Sequence, residues 1–402
     1  MTLYIVRPKT SSVTASLSLM SRKFTRQSRV IQAQEVTNFW QEDSVYQEII
    51  HWLADTQDSG ITQIAKTETI ITGTAIVRMT EEQAEQMRRD LPDADVLPDQ
   101  RIELIRPLRD ETSIKTEVTD SDLWHLEAIG LKTCRQGGYE YTGKDITIAV
   151  LDTGVDATHP ELQGKITAAY TFDVEQGVVL SMNPSLDTDD HGTHVSGLIC
   201  GKNVGIAPGA NIISGVMIPG GFGNISDFIF ALSWVAKQAE VSIVNISAGI
   251  SGYLPNMEKE IKSILSSGVL PVCAVGNDGQ DQTRSPGDYR DVVSVGATNS
   301  QNKIAGFSSS GNMIVDNHQY QVPRLVAPGE NVYSSIPGGT YKAESGTSMA
   351  TPIISGVAGL ILEEYPDIDV LDLRGELYSR CKLLKQPKDR QGYGLIQMSY
   401  ET

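Results

Sequence analysis

Basic residues are scarce in this sequence. Its 402 residues contain 33 lysines and arginines against 50 aspartates and glutamates, a formal net charge of −17. A basic surface is what binds the phosphates of nucleic acids, so the charge balance argues against nucleic acid as the main partner. The acidity predicts a well-solvated surface and, more weakly, a preference for basic substrates.

Long apolar runs and cysteines are scarce as well. No segment has the roughly 20 apolar residues that a membrane-spanning helix needs, so we expect no membrane partner. The start, MTLYIVRPKTSSVTASLSLMSRKF, lacks the apolar stretch and cleavage site of a secretory signal, which favours a cytoplasmic protein. The four cysteines share no metal-ligand spacing, so we expect small buried side chains and no disulfide framework. They are Cys134, Cys200, Cys273 and Cys381.

Residues 1–105 show strand and helix patterns in the order β-α-β-β-α-β, which predicts a small ferredoxin-like α+β domain. Apolar residues at helical spacing mark a helix in VYQEIIHWLAD, and Thr72–Gly73 marks a hairpin. Thr80 is expected to cap a second helix, and DADVLPDQRIELI to form the last strand. The basic, Ser/Thr-rich stretch before Val45 is interpreted as a flexible insertion.

A polar segment separates this domain from the rest of the chain. Residues 106–122 contain Pro107 and no apolar period, which predicts an exposed processing linker of the kind that proteases cut. An ordinary surface loop is the alternative.

Residues 123–402 predict a larger α/β domain with a doubly wound, mostly parallel sheet. Short, nearly continuous apolar runs alternate with helical patterns, as expected for a parallel sheet that is covered on both faces. Ser226 is expected to cap the helix SDFIFALSWVAKQA. The predicted strands are DITIAVLD, ANIISGVMI, SIVNIS, GVLPVCAVG and DVVSVGAT.

Three segments carry residues suited to nucleophilic chemistry. Asp152 follows a predicted strand, where open α/β sheets place their sites, although a turn residue is equally natural there. His191 opens a predicted helix in HGTHVSG. His194 suggests a metal site as an alternative, but no matching ligand signature accompanies it, so we interpret His194 as structural. Ser348 in GTSMATP starts another helix, where an isolated serine would be a simple cap.

Asp, His and Ser in this chain order match the order of the subtilisin triad. The segments DTGVDATHPEL, HGTHVSG and GTSMATP resemble the three signatures of the subtilisin-like serine proteases (subtilases). Residues 274–277, AVGN, resemble the oxyanion-hole strand of that family, and Gly392-Tyr-Gly394 resembles its C-terminal motif. The resemblance covers about residues 123–400.

The resemblance implies a serine endopeptidase that acts on polypeptides through an acyl-enzyme. Ser348 would attack the peptide carbonyl, His191 would take up and return its proton, and Asp152 would orient the imidazole. Asn277, which in isolation would be a turn residue, would stabilise the oxyanion together with the Ser348 backbone N–H. Substrate is expected to bind as an extended strand. By resemblance, the pocket and its facing edge consist of Ser247, Ala248, Gly249, Ala274, Val275 and Gly276, and of Gly220, Gly221, Phe222 and Gly223.

The N-terminal domain carries a second resemblance. The segment TGTAIVRMTEEQAEQMRRDLPDADVLPDQ resembles the second half of the subtilase propeptide inhibitor. This implies a self-processing zymogen whose own N-terminal domain is a binding partner with its C-terminal end in the cleft. A fused regulatory domain of unrelated purpose is the alternative. For the whole chain, a maturation protease or transpeptidase dedicated to one precursor and a latent binding protein are the alternatives.

Several segments depart from the family pattern. No cofactor is expected to be required. Calcium is an open alternative, but LICGKNVGIAPGA is shorter than the calcium-binding loop of some members, and Glu161 stands where a ligating Asp is common. GNMIVDNHQYQVPRLVAPG is longer than usual and is expected to add a surface hairpin. Arg284 is expected near the pocket floor, which gives the hypothesis of an acidic or polar residue before the cut; a solvent-facing arginine is the alternative.

Overall fold

The N-terminal unit is built on a four-stranded antiparallel sheet. The computed structural model describes residues 1–9, 25–56, 60–64, 69–109 and 114–398. The sheet order is β2-β3-β1-β4, and the sequence order of strands and helices agrees with the expected ferredoxin-like arrangement. Its strands are β1 Thr2–Pro8, β2 Thr62–Ile64, β3 Ala75–Met79 and β4 Ala94–Pro98. Its helices are α1 Arg26–Glu42, α2 Ser44–Asp55 and α3 Glu81–Asp90.

Local sequence signals located α2 and α3 well. Helix α2 begins at Ser44 with Asp43 as its cap, and α3 follows the predicted cap Thr80. Thr80 and Gln83 form a reciprocal capping box, which satisfies two backbone donors at the helix start.

Three expectations for this unit were wrong. The stretch before Val45 contains the helix α1, although its earlier part, residues 10–24, lies outside the described residues. The strand expected to run to residue 71, before the hairpin at Thr72–Gly73, ends earlier, and residues 69–72 form a 3-10 turn. The predicted last strand is divided, because β4 ends at Pro98 and the strand β5, Arg101–Leu104, pairs elsewhere. In α1 and β5 the stabilising partner is the larger unit, which local periodicity does not reveal.

A ten-stranded sheet forms the centre of the larger unit, in the order β22-β23-β19-β16-β14-β12-β7-β10-β8-β9. The edge pairs β22–β23 and β8–β9 are antiparallel, and every pair between them is parallel. This confirms the mostly parallel α/β sheet. Its strands are β7 Thr147–Asp152, β8 Ile166–Asp173, β9 Val178–Ser181, β10 Asn211–Val216, β12 Val241–Ile246, β14 Leu270–Ala274, β16 Val293–Thr298, β19 Leu325–Pro328, β22 Cys381–Lys382 and β23 Leu395–Ile396.

Both faces of this sheet are covered. Along β7, Ile148 and Val150 enter one hydrophobic core, while Ala149 and Leu151 enter the other, as the strand's two-residue period requires. The helices of the larger unit are α4 Trp124–Ala128, α5 Leu131–Gln136, α6 His191–Cys200, α7 Ile225–Lys237, α8 Glu258–Ser266, α9 Thr347–Glu364, α10 Val370–Ser379 and α11 Lys388–Gln391.

Helix α7 is not capped as expected. Asn224 is the cap and forms a capping box with Asp227. The backbone N–H and the hydroxyl of Ser226 instead bond the carboxylate of Asp99, which comes from the N-terminal unit. The prediction failed because the partner of Ser226 is distant in sequence.

Three smaller sheets complete the fold. One has the order β11-β5-β13-β15, so β5 of the N-terminal unit lies between two strands of the larger unit. A second has the order β20-β21-β6, and β17 and β18 form the expected extra hairpin. The added strands are β6 Leu108–Arg109, β11 Phe222–Asn224, β13 Ala248–Ser251, β15 Arg284–Ser285, β17 Gly311–Val315, β18 His318–Val322, β20 Val332–Ile336 and β21 Thr340–Ser345.

Buried polar contacts join the two units. Arg7 of β1 forms an ion pair of 2.8 Å with Glu260 of α8, which also accepts a hydrogen bond from Thr74. Arg29 of α1 is fully buried and donates to carbonyls around the end of α7. Trp40 of α1 packs into the core beneath α7 and α8. The N-terminal unit is therefore an integral part of the folded chain.

No helix within the described ranges has both the length and the apolar character needed to cross a membrane. The four cysteines, all of them in the described part of the chain, form no disulfide. Cys200 and Cys273 are buried as expected, whereas Cys134 and Cys381 are only half-buried.

Candidate active site

The three candidate catalytic residues lie where secondary-structure elements begin or end. Asp152 is the last residue of β7, His191 is the first residue of α6, and Ser348 is the second residue of α9. All three side chains are buried. Nδ1 of His191 and Oδ1 of Asp152 are 2.8 Å apart, a good hydrogen-bond distance. This contact orients the imidazole so that Nε2 is its free nitrogen.

The Ser348 hydroxyl donates to a backbone carbonyl at the end of the N-terminal unit. Its Oγ is 2.8 Å from the carbonyl oxygen of Ile105. Nε2 of His191 makes no hydrogen bond within the described part of the chain. The hydroxyl is therefore directed at a peptide group, while the acceptor nitrogen of the imidazole is unused.

Charges around His191 favour its protonated form. Burial opposes protonation, but the carboxylates of Asp152, Glu344 and Asp187 outweigh it and raise the pKa of His191. Glu344 is buried and receives a hydrogen bond of 2.8 Å from Lys342. Burial also raises the pKa of Asp187 to about 6, against the hydrogen bonds that it accepts. The site therefore stabilises a positive charge on the imidazole.

The Asn277 side chain is fixed by the start of α9. Its Oδ1 accepts from the backbone N–H of Thr347 at 2.8 Å and from the Thr347 hydroxyl at 2.9 Å. These donors identify the oxygen of the amide, so Nδ2 points into the cleft. There Nδ2 donates to the carbonyl of Arg106 at 3.0 Å. Asn277 thus presents a preoriented donor beside Ser348.

The cleft holds β5 as an extended strand. Glu103 pairs with Phe222 on one side and with Gly249 on the other, both antiparallel. The Ile105 N–H donates to the carbonyl of Ser247 at 3.0 Å, which continues the ladder to the residue at Ser348. The two predicted edges, residues 220–223 and 247–249, therefore flank one strand-shaped site.

The third pocket segment lies at the end of β14. Ala274 and Val275 are buried, and the N–H of Gly276 donates to the Thr347 hydroxyl at 3.3 Å. The carbonyl of Val275 accepts from the N–H of Arg284 at 3.0 Å, so Arg284 lies beside this segment. The hydrogen bond from Gly276 thus connects this pocket segment to α9.

The guanidinium of Arg284 already has a partner. It contacts both carboxylate oxygens of Asp278, at 2.7 and 3.0 Å. A bidentate pair of this kind neutralises the charge and fixes its orientation. Arg284 is half-buried, so it is not a free solvent-facing arginine, but its pairing removes the support for an acidic preference before the cut.

Sequence reasoning missed several residues of the cleft. The carboxylate of Asp189 accepts a hydrogen bond from the Arg106 side chain. Glu344, which is paired with Lys342, raises the pKa of His191 through its charge. The acidic run before His191 was visible, but nothing local assigned a partner to Asp189. Lys342 and Glu344 alternate along a strand, a pattern more typical of a solvated face.

Glu161, where the family resemblance places a calcium ligand, does not fit a cation. Glu161 is buried, and its carboxylate accepts from the N–H and side chain of Asn203 and from the hydroxyl of Tyr341, at 2.7–2.9 Å. Protein donors thus occupy both of its oxygens, and a cation there would face those donors.

His194, the other candidate metal ligand, is also held by protein groups. Its Nε2 is within hydrogen-bond distance of the carbonyls of Val332 and Lys342. Within the described ranges, no group of three or more His, Cys, Asp or Glu side chains is arranged to hold a metal ion.

Comparison with known proteins agrees with the fold. The model of the subtilase family matches residues 143–394, more than half of the chain, and the chain belongs to this family. It is 34% identical to Subtilisin E of Bacillus subtilis over 254 residues, which cover 61% of this chain and 62% of the relative. The chain thus spans less than two thirds of that relative.

Two further relatives align over larger shares of their length. Identity to the intracellular serine protease of Paenibacillus polymyxa is 34% over 276 residues, 64% of this chain and 80% of the relative. Identity to the alkaline protease of Alkalihalobacillus alcalophilus is 32% over 299 residues, 73% of each chain. The family match begins at residue 143, so it does not include the N-terminal unit.

Proposed function

We propose that this chain is a serine endopeptidase that uses Asp152, His191 and Ser348. One observation carries the proposal: the Ser348 hydroxyl lies 2.8 Å from the carbonyl oxygen of a peptide held as an extended strand. Membership of the subtilase family supports the same chemistry. The 2.8 Å contact between His191 and Asp152 supplies the oriented base that a serine hydroxyl needs at neutral pH.

Each residue then has a defined part in the reaction. Ser348 Oγ attacks the carbonyl carbon while Nε2 of His191 takes its proton, and Asp152 stabilises the imidazolium. Nδ2 of Asn277 and the Ser348 N–H, at the start of α9, stabilise the oxyanion. The C–N bond breaks as His191 returns the proton to the leaving amine. Water then hydrolyses the acyl-enzyme by the same route.

The N-terminal unit is proposed to be a tethered inhibitor that the chain itself cuts, between Ile105 and Arg106. The hydrogen bonds of Ile105 support this cut. Its N–H donates to the carbonyl of Ser247, and its carbonyl accepts from the Ser348 hydroxyl. The linker beyond it pairs with β21 through Leu108 and Arg109, while residues 110–113 lie outside the described residues.

The uncut arrangement is not yet aligned for the reaction. Asn277 donates to the carbonyl of Arg106, one residue beyond the carbonyl that contacts Ser348. The Ile105 carbonyl must replace that of Arg106 at Asn277 before the oxyanion can be stabilised. Self-cleavage therefore requires a small shift of the segment, which retards it relative to cleavage of a flexible peptide.

Mass spectrometry of the purified chain tests the proposal. The wild-type chain should give two masses, those of residues 1–105 and 106–402, whereas Ser348→Ala should stay at full length. Ser379→Ala, an exposed serine on α10, is the matched control and should be processed normally. Processing of Ser348→Ala at the wild-type rate would show that another protease cuts the chain and would contradict self-cleavage.

The proposal has two narrower forms and one contrary alternative. A protease dedicated to one precursor, or a transpeptidase, would use the same catalytic residues and differ in its substrate loops. A latent binding protein would keep its inhibitory unit; the paired Asp152 and His191 argue against this because a retired site has no need of them. A cytoplasmic location is supported only by likeness to an intracellular serine protease, and cell fractionation tests it.

A further inference from the structure

The Arg106 side chain is held by three different groups of the cleft. Its Nη2 donates to the carbonyl of Gly220 at 3.0 Å, and its Nη1 lies 3.4 Å from Oδ2 of Asp189. The guanidinium also lies over the ring of Phe222, at 5.5 Å from the centroid. A planar guanidinium can satisfy these three contacts together, whereas a lysine ammonium cannot.

The contacting groups are built for close approach. Gly221 has φ +87°, and a Cβ placed there would lie 2.5 Å from Nη2 of Arg106. The backbone conformation therefore favours glycine, and the absence of a side chain leaves room for the guanidinium. Asp189 keeps its position because its Oδ1 accepts from the N–H of Asp190 at 2.9 Å. Its side chain is 16% exposed, so solvent screens its charge only in part.

The position of Arg106 relative to the proposed cut shows which substrate residue would make these contacts. Ile105 contacts Ser348 through its carbonyl, so Arg106 is the residue immediately after the cut. Its side chain nevertheless folds back over Gly220 and Phe222, next to the strand that precedes the cut. Arg101 stacks on the same ring from its own end of β5, at 4.0 Å. Two arginines of the segment therefore use Phe222, which is 42% exposed.

We propose that Asp189, the Gly220 carbonyl and the Phe222 ring form a subsite for an arginine side chain on the residue that follows the cleaved bond. This deepens the proposed protease function and rests on it. Polypeptide substrates with arginine at that position are then preferred over those with glutamine or glutamate. The Arg106 contacts in the uncut chain are the intramolecular version of that recognition.

Cleavage of designed peptides tests the subsite. The substrates are quenched fluorogenic peptides of residues 101–109 in which alanine replaces Pro107. Position 106 is either the native Arg or is changed to Lys, Gln or Glu. The self-processed wild-type enzyme should give kcat/KM in the order Arg, Lys, Gln, Glu, with Arg about tenfold above Gln, since a partly exposed ion pair and one hydrogen bond are lost. Residues 1–105 that stay bound lower kcat/KM by the same factor for every peptide and so leave this order unchanged. The Arg preference should shrink as salt rises.

Variants of the enzyme separate the subsite from general charge. Asp189→Asn keeps the acceptor for the Asp190 N–H and should lower the Arg/Gln ratio about threefold or more, with little change for the Gln peptide. Phe222→Leu should lower the same ratio through loss of the ring. Asp316→Asn is the matched control, because it removes one negative charge at an exposed hairpin turn where asparagine tolerates the positive φ. Its ratio should equal that of the wild type.

The outcomes distinguish the two proposals. If all four peptides are cut after the isoleucine with equal kcat/KM, or if Asp189→Asn leaves the Arg/Gln ratio unchanged, the arginine subsite is overturned and the protease function stands. If no peptide is cut and the wild-type chain is not processed, both proposals fail. A second measurement within the chain is the self-processing rate, which should fall more for Arg106→Glu than for Arg106→Lys.

Discussion

At the scale of the residue, Asn277 has two separable duties. Its oxygen anchors the start of α9, and its nitrogen faces the cleft. In the proposed mechanism only the nitrogen takes part in the chemistry, so a substitution that keeps the oxygen can separate catalysis from folding.

Asn277→Asp is the variant that makes this separation. The carboxylate still accepts from Thr347 but has no proton to donate to the oxyanion. We expect kcat to fall about 100- to 1000-fold, the usual cost of losing one such donor, with little change in Tm. Asn312→Asp, on the exposed β17–β18 hairpin, adds the same charge and should leave kcat unchanged. A kcat for Asn277→Asp within a few fold of the wild type would contradict the assigned role.

Glu344 acts on His191 through its charge, while its backbone pairs with Arg109 of the linker. It stabilises the imidazolium and so contributes to the raised pKa of His191, after the opposing effect of burial and the larger effect of Asp152. In the proposed mechanism His191 must be neutral to accept the serine proton, so a raised pKa places the acid limb of activity at higher pH.

The pH dependence of self-processing tests this sign. In Glu344→Gln the imidazolium loses a neighbouring negative charge, so the pKa of His191 falls and the acid limb should move to lower pH. The measurement is the rate of self-cleavage against pH. Glu330→Gln is the control and should keep the wild-type profile. A shift of the Glu344→Gln limb to higher pH would refute the electrostatic role.

At the scale of the element, the end of α7 depends on a distant arginine. The last carbonyls of a helix have no partner within the helix. Arg29 of α1 donates to the carbonyls of Ala236, Gln238 and Val241, at 2.9–3.2 Å. The N-terminal unit therefore completes a helix of the larger unit.

Arg29→Met should destabilise the uncut chain. The substitution leaves buried carbonyls unsatisfied, which typically costs about 1–3 kcal/mol. Chemical denaturation in the Ser348→Ala background, where the chain stays intact, measures the change. Arg89→Met removes an exposed arginine of α3 and should change the free energy of unfolding by less than about 0.5 kcal/mol. Equal stabilities of the two variants would argue against capping by Arg29.

At the scale of the whole molecule, cutting the chain does not remove the contacts between its units. Glu260 is fully buried and is held by Arg7 and Thr74 of the N-terminal unit. Release of that unit would separate the ion pair and expose the shared core. We therefore expect residues 1–105 to stay bound after self-cleavage.

Size-exclusion chromatography of the processed chain checks this expectation. Both fragments of the wild type should elute together, whereas Arg7→Met, which leaves Glu260 buried without its partner at a cost of about 3–5 kcal/mol, should let them separate. The double variant Arg7→Met with Glu260→Met should restore part of the association, because two apolar side chains leave no buried charge. Separation of the wild-type fragments would show that the interface holds only through the covalent link.

The α/β class, the main strands and the N-cap of α3 followed from the sequence alone, and the sequence also supplied the three residues proposed to be catalytic. Each of these depends on local signals: apolar runs, a Thr-x-x-Gln cap, and short motifs in which neighbouring residues share one turn. The doubt about Glu161 as a calcium ligand also came from a local signal, because Glu161 stands in the motif DTGVDATHPEL where an aspartate is common.

The contacts between the two units could be found only in the folded chain. Helix α1, the departure of β5 into the cleft, and the partners of Ser226, Arg284 and Asp189 all depend on groups that are far away in the chain. A local pattern records whether a side chain prefers water or a core, but not which distant atom will satisfy it. The physical reason is that ion pairs, caps and strand pairing across units are set by the packing of the whole chain.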